Sequence, residues 1–216
     1  SNHISFGTIY KGQPQSRLIE YINNSDEPVN LEVKNVPAHL AVQIDNPVVK
    51  PHGKGTIEVT YLSDKQKDWD FLIDRMDVYV DGKTDRTYRL IVSATVQENF
   101  TDMSQEEITK APDIEFKDKN FDFGKLVQGD KVNHEFAFVN DGKSDLMIRK
   151  VHASCGCTAA MSTSNVIHPG ESGSIKVTFN SAGKMGNQNK TVTIITNDPQ
   201  HSREILWIRG EVLQKN

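Results

Sequence analysis

Hydrophobic positions recur at every second residue over short runs of this chain. Ile175, Val177 and Phe179 alternate with Lys176 and Thr178, and Val192, Ile194 and Thr196 alternate with Thr193 and Ile195. A period of two gives a strand one buried and one solvated face, so these runs predict β-strands. Turn chemistry separates them: Asn140-Asp141-Gly142, Pro169-Gly170 and Asn197-Asp198-Pro199. Glycine and asparagine tolerate the positive φ of tight turns, and proline ends a strand.

The pattern occurs twice. Phe6-Gly7-Thr8-Ile9-Tyr10-Lys11-Gly12 matches Phe123-Gly124-Lys125-Leu126-Val127-Gln128-Gly129, and Tyr21-Ile22-Asn23-Asn24 matches Phe138-Val139-Asn140-Asp141 at the same offset. Leu31 to Val36 then matches Leu146 to Val151, Pro51 to Tyr61 matches Pro169 to Phe179, and Leu90 to Val96 matches Leu206 to Val212. Five blocks in one order predict two homologous domains, over residues 1–97 and 112–216. About seven short strands in about 100 residues, with turns every 8–12, predict an all-β fold: two tandem immunoglobulin-like β-sandwich domains. The inter-sheet Cys…Trp…Cys pattern of antibody domains is absent, so the prediction concerns the architecture alone. Residues 98–111 form a short linker. Within it, Ser104-Gln105-Glu106-Glu107 has capping-box spacing and predicts a brief helix, which Pro112 stops. A linker of this kind predicts a limited range of domain orientations. Asp113-Ile114-Glu115-Phe116 reads as an extra first strand of the second repeat. The first repeat has no counterpart and is expected to lack an edge strand.

Composition narrows the function. A net charge of −4 over 216 residues, with no block of like charges, argues against nucleic acid as a partner. No apolar run reaches the roughly 18 residues needed for a transmembrane segment. The start at Ser1-Asn2 leaves room for a removed leader or a lipid anchor upstream. Two cysteines are too few for a disulfide framework.

Both cysteines fall in Ser154-Cys155-Gly156-Cys157-Thr158. In extended backbone, residues two apart point to one side, so Cys155 and Cys157 can meet each other or one ion. Three readings stand open. The pair is buried small hydrophobes or a structural disulfide; or a strained, reducible redox couple, with Arg149 and Lys150 near enough to favour a thiolate; or a soft-metal site. Two thiolates suit Cu(I), whereas Zn(II) needs further ligands, for which His152, His168, Met161 and Met185 are the candidates. Extending the repeat alignment puts Leu40 and Val42 at the positions of Cys155 and Cys157. That favours a core-facing pair, whereas about three extra residues between Val151 and Pro169 favour a specialised loop.

None of the seven histidines lies in an H-E-x-x-H, G-x-S-x-G or cysteine-protease context. Gly53-Lys54-Gly55 precedes no helix and reads as a hairpin turn rather than a phosphate loop. Trp207 falls on the opposite face of its strand from Leu206, Ile208 and Val212. It is a candidate binding residue or packs on a neighbouring segment. Trp69 and Phe71, in a longer loop of the first repeat, are either packed or a recognition tip.

The second repeat resembles the bacterial domain-of-unknown-function family 1573, an immunoglobulin-like sandwich related in fold to Hydin-type and major-sperm-protein-type domains. The resemblance is carried by Phe121-Asp122-Phe123-Gly124, Gly129, Phe136, Phe138, Asn140, Gly142, Leu146, Ile148, Ser154 to Thr158, Pro169 to Gly173 and Thr196 to Pro199. The first repeat keeps the frame and departs at the cysteines. The resemblance implies an extracytoplasmic address (periplasmic, secreted or lipid-anchored) and no established activity. The expectation is a non-catalytic binding or scaffolding protein, without a cofactor, whose partner is a protein or cell-envelope component. The alternative is thiol-redox or soft-metal chemistry at Cys155 and Cys157.

Overall fold

In a computed structural model the chain folds as two units, Ser1–Asn99 and Phe100–Asn216, and the described residues are 2–84, 87–154, 156–161 and 164–215. The first unit contains β1 His3–Tyr10, β2 Gln15–Ile22, β3 Val29–Lys34, β4 Leu40–Ile44, β5 Val48–Val49, β6 Lys54–Tyr61, β7 Asp70–Val80 and β8 Arg89–Gln97. A five-stranded sheet has the order β1-β8-β7-β3-β5, and a three-stranded sheet the order β2-β6-β4. Alternate residues of both sheets meet in one core, with Ile57, Val59 and Tyr61 of β6 and Leu90, Val92, Ala94 and Val96 of β8 all buried. Non-local pairing of this kind is a two-layer sandwich.

The second unit repeats the plan. It opens with α1 Gln105–Thr109, capped by Ser104, whose hydroxyl accepts from the Glu107 N–H while the Glu107 carboxylate accepts from the Ser104 N–H. There follow β9 Ile114–Phe116, β10 Asn120–Val127, β11 Lys131–Asn140, β12 Leu146–Ala153, β13 Cys157–Met161, β14 Val166–Ile167, β15 Ser172–Asn180, β16 Gly186–Thr196 and β17 Arg203–Leu213. One sheet runs β10-β17-β16-β12-β14 and the other β13-β15-β11-β9. The architecture is all-β, in two immunoglobulin-like sandwiches. No helix among the described residues is long and apolar enough to cross a membrane.

The repeated Phe-Gly pair has a physical role. β1 pairs in parallel with β8, and β10 with β17, and each ladder shifts register across the glycine, between Ser5 and Thr8 and between Asp122 and Lys125. Gly7 and Gly124 have φ of 69° and 65°, a region that other residues reach only with strain. The bulge turns the preceding aromatic inward, so that Phe6 meets Tyr61 at 5.6 Å and Phe123 meets Phe179 at 5.1 Å between ring centroids. The alternation predicted for residues 192–196 is incomplete: Thr193 and Ile195 are buried as well as Val192, Ile194 and Thr196. β16 lies between β12 and β17, so its outer face is shielded from both sides.

His134, partly buried, packs at the edge of the second core. Its ring stacks on Phe121 at 3.9 Å and meets Phe136 edge-on at 4.5 Å. Burial pushes its pKa down, partly opposed by Asp118. Because the folded state disfavours the imidazolium, the unfolded chain binds more protons below about pH 6.5. The contribution of His134 to the stability of this unit is therefore expected to fall as pH drops through that value, against the opposite contribution of His168, whose pKa Asp145 raises, so acid should destabilise His134→Phe less than the parent chain. Thermal unfolding at pH 7.5 and 5.0, followed through Trp207, measures it. An equal acid-induced drop in both proteins would remove His134 as the cause.

Candidate functional site

β12 and β13, on either side of residues 154–156, lie in different sheets of the second unit. The backbone N–H of Ser154 donates to Thr191 O at 2.9 Å, and its hydroxyl accepts from the Thr191 N–H at 3.0 Å. Gly156 turns the chain with φ of 94°, and Cys157 opens β13 opposite Phe179. Cys155 lies outside the described residues. Cys157 is a free thiol, half-buried against the core. Burial pushes its pKa up, and the charge that partly opposes this belongs to Lys190, not to Arg149 or Lys150. The thiol form is thus favoured at neutral pH, which lowers nucleophilicity.

The register corrects the sequence alignment. β4 pairs Leu40 with Tyr61 and Val42 with Val59, whereas β13 pairs Cys157 with Phe179 and Ala159 with Val177. Since Tyr61 and Phe179 are equivalent, Cys157 occupies the place of Leu40, two residues from the expected match with Val42. Two of the three extra residues between the blocks fall before β13 and displace the frame; the third falls between β13 and β14. A Cys155→Ser chain, in which Cys157 is the remaining cysteine, is expected to alkylate at pH 7 more slowly than a small free thiol such as glutathione. Faster labelling would place Cys157 in an activating environment.

The other predicted ligands stand apart. His152 is exposed on β12 opposite Thr193, in a different sheet from Cys157. His168 is exposed after β14, where its Nδ1 lies 2.8 Å from Asp145 and its pKa is raised by that carboxylate. Met161 packs half-buried against the core, whereas Met185 is exposed. Among the described residues, the His/Cys/Asp/Glu group close enough to share an ion is Asp113, Asp198 and His201, which includes none of these. That trio has a structural task. The fully buried Asp198 carboxylate accepts from the Ile114 N–H at 3.0 Å and from the Gln200 and His201 N–H groups, and His201 Nδ1 lies 3.0 Å from it and 3.1 Å from Asp113. It fastens β9 to the β16–β17 turn.

Of the three aromatic candidates, Trp69 packs against the first core with Lys11 Nζ 4.8 Å from its ring centroid, so it is a packed loop residue. Trp207 is half-buried on β17 with the Arg209 guanidinium 4.9 Å over it. Phe71 opens outward from β7 at 58% exposure, beside Ile73 at 45%. Gly53 leads into β6, and Gly55 stands inside that strand, where a Cβ would lie 2.2 Å from the Tyr21 hydroxyl. The glycine is there for the tyrosine, not for a phosphate.

The feature with most chemical scope is the edge of β2. Residues Gln15 to Ile22 pair with β6 on one side, and among the described strands none pairs on the other. Leu18 and Ile22 are 68% and 54% exposed on its outer face. On its inner face a cleft of about 190 Å3 enters the sandwich between Ile19, Tyr21, Leu31, Ile57, Val78 and Leu90. At the equivalent edge of the second unit, β9 pairs with β11 and closes the sandwich. The strand count hinted at the open edge. The cleft, built from residues far apart in sequence, carried no local signal.

The model of a family described as "Protein of unknown function (DUF1573)" matches residues 114–212. A protein of unknown function from Porphyromonas gingivalis W83 has a TM-score of 0.64 at 16% identity, over 97% of this chain and 96% of that one. PapD-like domain 7 of human CEP192 has a TM-score of 0.40 at 12% identity, over 56% of this chain and 96% of that one. The CupB2 chaperone of Pseudomonas aeruginosa has a TM-score of 0.33 at 10% identity, over 96% of this chain and 97% of that one. At 16% identity the likeness to the Porphyromonas gingivalis protein concerns the fold alone. No curated protein matches the sequence.

Proposed function

Starting from a chain whose residues 114–212 match the model of the DUF1573 family, we propose that it is a non-catalytic binding or scaffolding protein of the bacterial cell envelope, acting outside the cytoplasm on a protein partner. The observation that carries this reading is the set of apolar side chains that the first unit exposes on its strands, Leu18 and Ile22 on β2 and Phe71 and Ile73 on β7. Grouped exposed apolar side chains mark surfaces that other proteins cover. Here the outward residues alternate Leu18, Glu20, Ile22, so a single carboxylate interrupts an apolar row. Burial of Cys157, with its thiol pKa raised, weighs against thiol-redox chemistry at that residue.

The test is capture of envelope proteins by three forms of the chain. Cys155→Ser/Cys157→Ser is expected to retain the same partner, and Leu18→Asp/Ile22→Asp to lose it. Loss in the serine pair with retention in the aspartate pair, or a disulfide-reductase activity abolished by the serines, would transfer the function to the thiols.

A further inference from the structure

The turn between β1 and β2 is fastened differently from its counterpart between β10 and β11. Tyr61 is equivalent to Phe179, so Ser63 is equivalent to Ser181. The match of Phe6 to Gly12 with Phe123 to Gly129 makes Tyr10, Gly12 and Gln13 the counterparts of Val127, Gly129 and Asp130. In the second unit the fully buried Ser181 hydroxyl donates to the carbonyls of Val127 at 3.0 Å and Asp130 at 2.8 Å. It accepts from the Gly129 N–H at 2.9 Å, and the Ser181 N–H donates to Asp130 O at 3.0 Å. Ser63 is also deeply buried, at 1% exposure, yet its hydroxyl has no partner among the described residues.

Other bonds of the turn are shared. The Gln13 N–H donates to Tyr10 O at 3.2 Å, as the Asp130 N–H does to Val127 O at 3.0 Å. Lys11 Nζ donates to Gln66 O where Gln128 Nε2 donates to Lys184 O. The departure begins at Pro14. The β11–β15 ladder opens on Lys131 opposite Asn180, whereas the β2–β6 ladder opens one pair later, on Gln15 opposite Tyr61. Pro14 holds the place of Lys131 and has no N–H to give to a ladder. The turn is therefore not drawn down onto Ser63.

We propose that Ser63 holds an internal water molecule, which bridges its hydroxyl to the turn at residues 10–13 in place of the direct bonds made by Ser181. A buried hydroxyl without a partner is costly, and native proteins leave few. The groups that Ser181 binds directly are two carbonyls and one N–H. With the Ser63 hydroxyl, their counterparts make the two acceptors and two donors that one water satisfies. The water donates to Tyr10 O and Gln13 O and accepts from the Gly12 N–H and the Ser63 O–H. Such a bridge is nearly as favourable in enthalpy as a direct bond and costs some immobilisation entropy. The loop that starts at Ser63 leads to Phe71, so one of the exposed apolar residues of the first unit stands on a loop fastened through water. The site exists whether or not the chain is a binding protein.

The test is a high-resolution crystal structure of the full chain and of Ser63→Ala. That substitution removes no side-chain hydrogen bond to another described residue and should leave the fold intact. The parent is expected to show a water about 2.8 Å from Ser63 Oγ and within hydrogen-bond distance of at least two of Tyr10 O, Gly12 N and Gln13 O. In Ser63→Ala that peak is expected to weaken or vanish. In solution, NOE and ROE cross-peaks of opposite sign between water and the Ser63 or Gln13 amide are expected in the parent, the signature of a held water. Direct bonding of Ser63 Oγ to a turn carbonyl, as in Ser181, would overturn the proposal. So would an empty map at the site, or a water undiminished in Ser63→Ala.

Discussion

Asn140→Ala is expected to destabilise the second unit by about 3–5 kcal/mol, because one fully buried amide ties its own turn to two distant pieces of chain through four hydrogen bonds. Its Nδ2 donates to Ser144 O at 2.8 Å and to Ile167 O at 2.9 Å, while its Oδ1 accepts from the Asp113 N–H at 3.2 Å and the Gly142 N–H at 3.1 Å. A net hydrogen bond is worth about 1 kcal/mol, and a buried group left without a partner costs about 1–3 kcal/mol. The Ile167 carbonyl bond is the buried one, so its loss weighs most. The same amide recurs in the first unit: Asn23 donates to Glu27, Val49 and Lys50 carbonyls and accepts from the N–H and hydroxyl of Ser25. Asn23→Ala should therefore cost the first unit a similar amount. The chain has two tryptophans, Trp69 in the first unit and Trp207 in the second, so single-tryptophan variants report each unit separately. Urea unfolding of Asn140→Ala should move the Trp207 transition and leave the Trp69 transition in place. A shift of less than about 1 kcal/mol would mean that water or a relaxed turn replaces the amide.

What could be read from the chain before its fold was known follows the reach of each physical signal. Alternation along β15 and the turn residues beside it act within a few positions, and both sandwiches follow from them. The Phe-Gly pairs were legible as a repeat. Their meaning, a bulge that swings Phe6 and Phe123 inward, depends on a parallel ladder with β8 or β17, which lies far along the chain. The register of Cys157 was misread by two residues because an insertion has no periodicity of its own. The strand that follows it is fixed by pairing with Phe179 and Val177, which sequence comparison does not weigh. Trp69, between packed and exposed readings, is resolved by Lys11, again distant in sequence. The β2 cleft is the extreme case. It arises where one strand lacks a neighbour, and its walls come from five different strands, which lie far apart along the chain.

Gly142→Ser should detach the first strand of the second unit, although serine stands at the same position in the first. A Cβ built at Gly142 would lie 2.4 Å from Asp113 N, 2.5 Å from Ala111 O and 2.5 Å from Pro112 Cα. These are backbone atoms with no flexible side chain to yield, so the segment 111–113 must move. Moving it breaks the Asp113 N–H bond to Asn140, the Asp141 N–H bond to Asp113 O and the Lys143 N–H bond to Ala111 O, and it pulls Ile114 from Asp198. Steric overpacking alone costs about 1–3 kcal/mol, and four displaced hydrogen bonds at about 1 kcal/mol each bring the expected loss to about 4 kcal/mol or more. The reciprocal change, Ser25→Gly, removes two hydroxyl bonds, to Asn23 Oδ1 and to Glu27 O, and should cost the first unit only about 1–2 kcal/mol. The asymmetry arises because Gly142 is crossed by the backbone of residues 111–113, whereas the Ser25 hydroxyl bonds within its own turn. Hydrogen exchange reads the difference directly: amides 114–116 should lose protection in Gly142→Ser while the β11–β15 ladder keeps its own. If β9 stays protected in that variant, the crossing segment has another way past residue 142, and the contrast drawn between the two edges loses its steric basis.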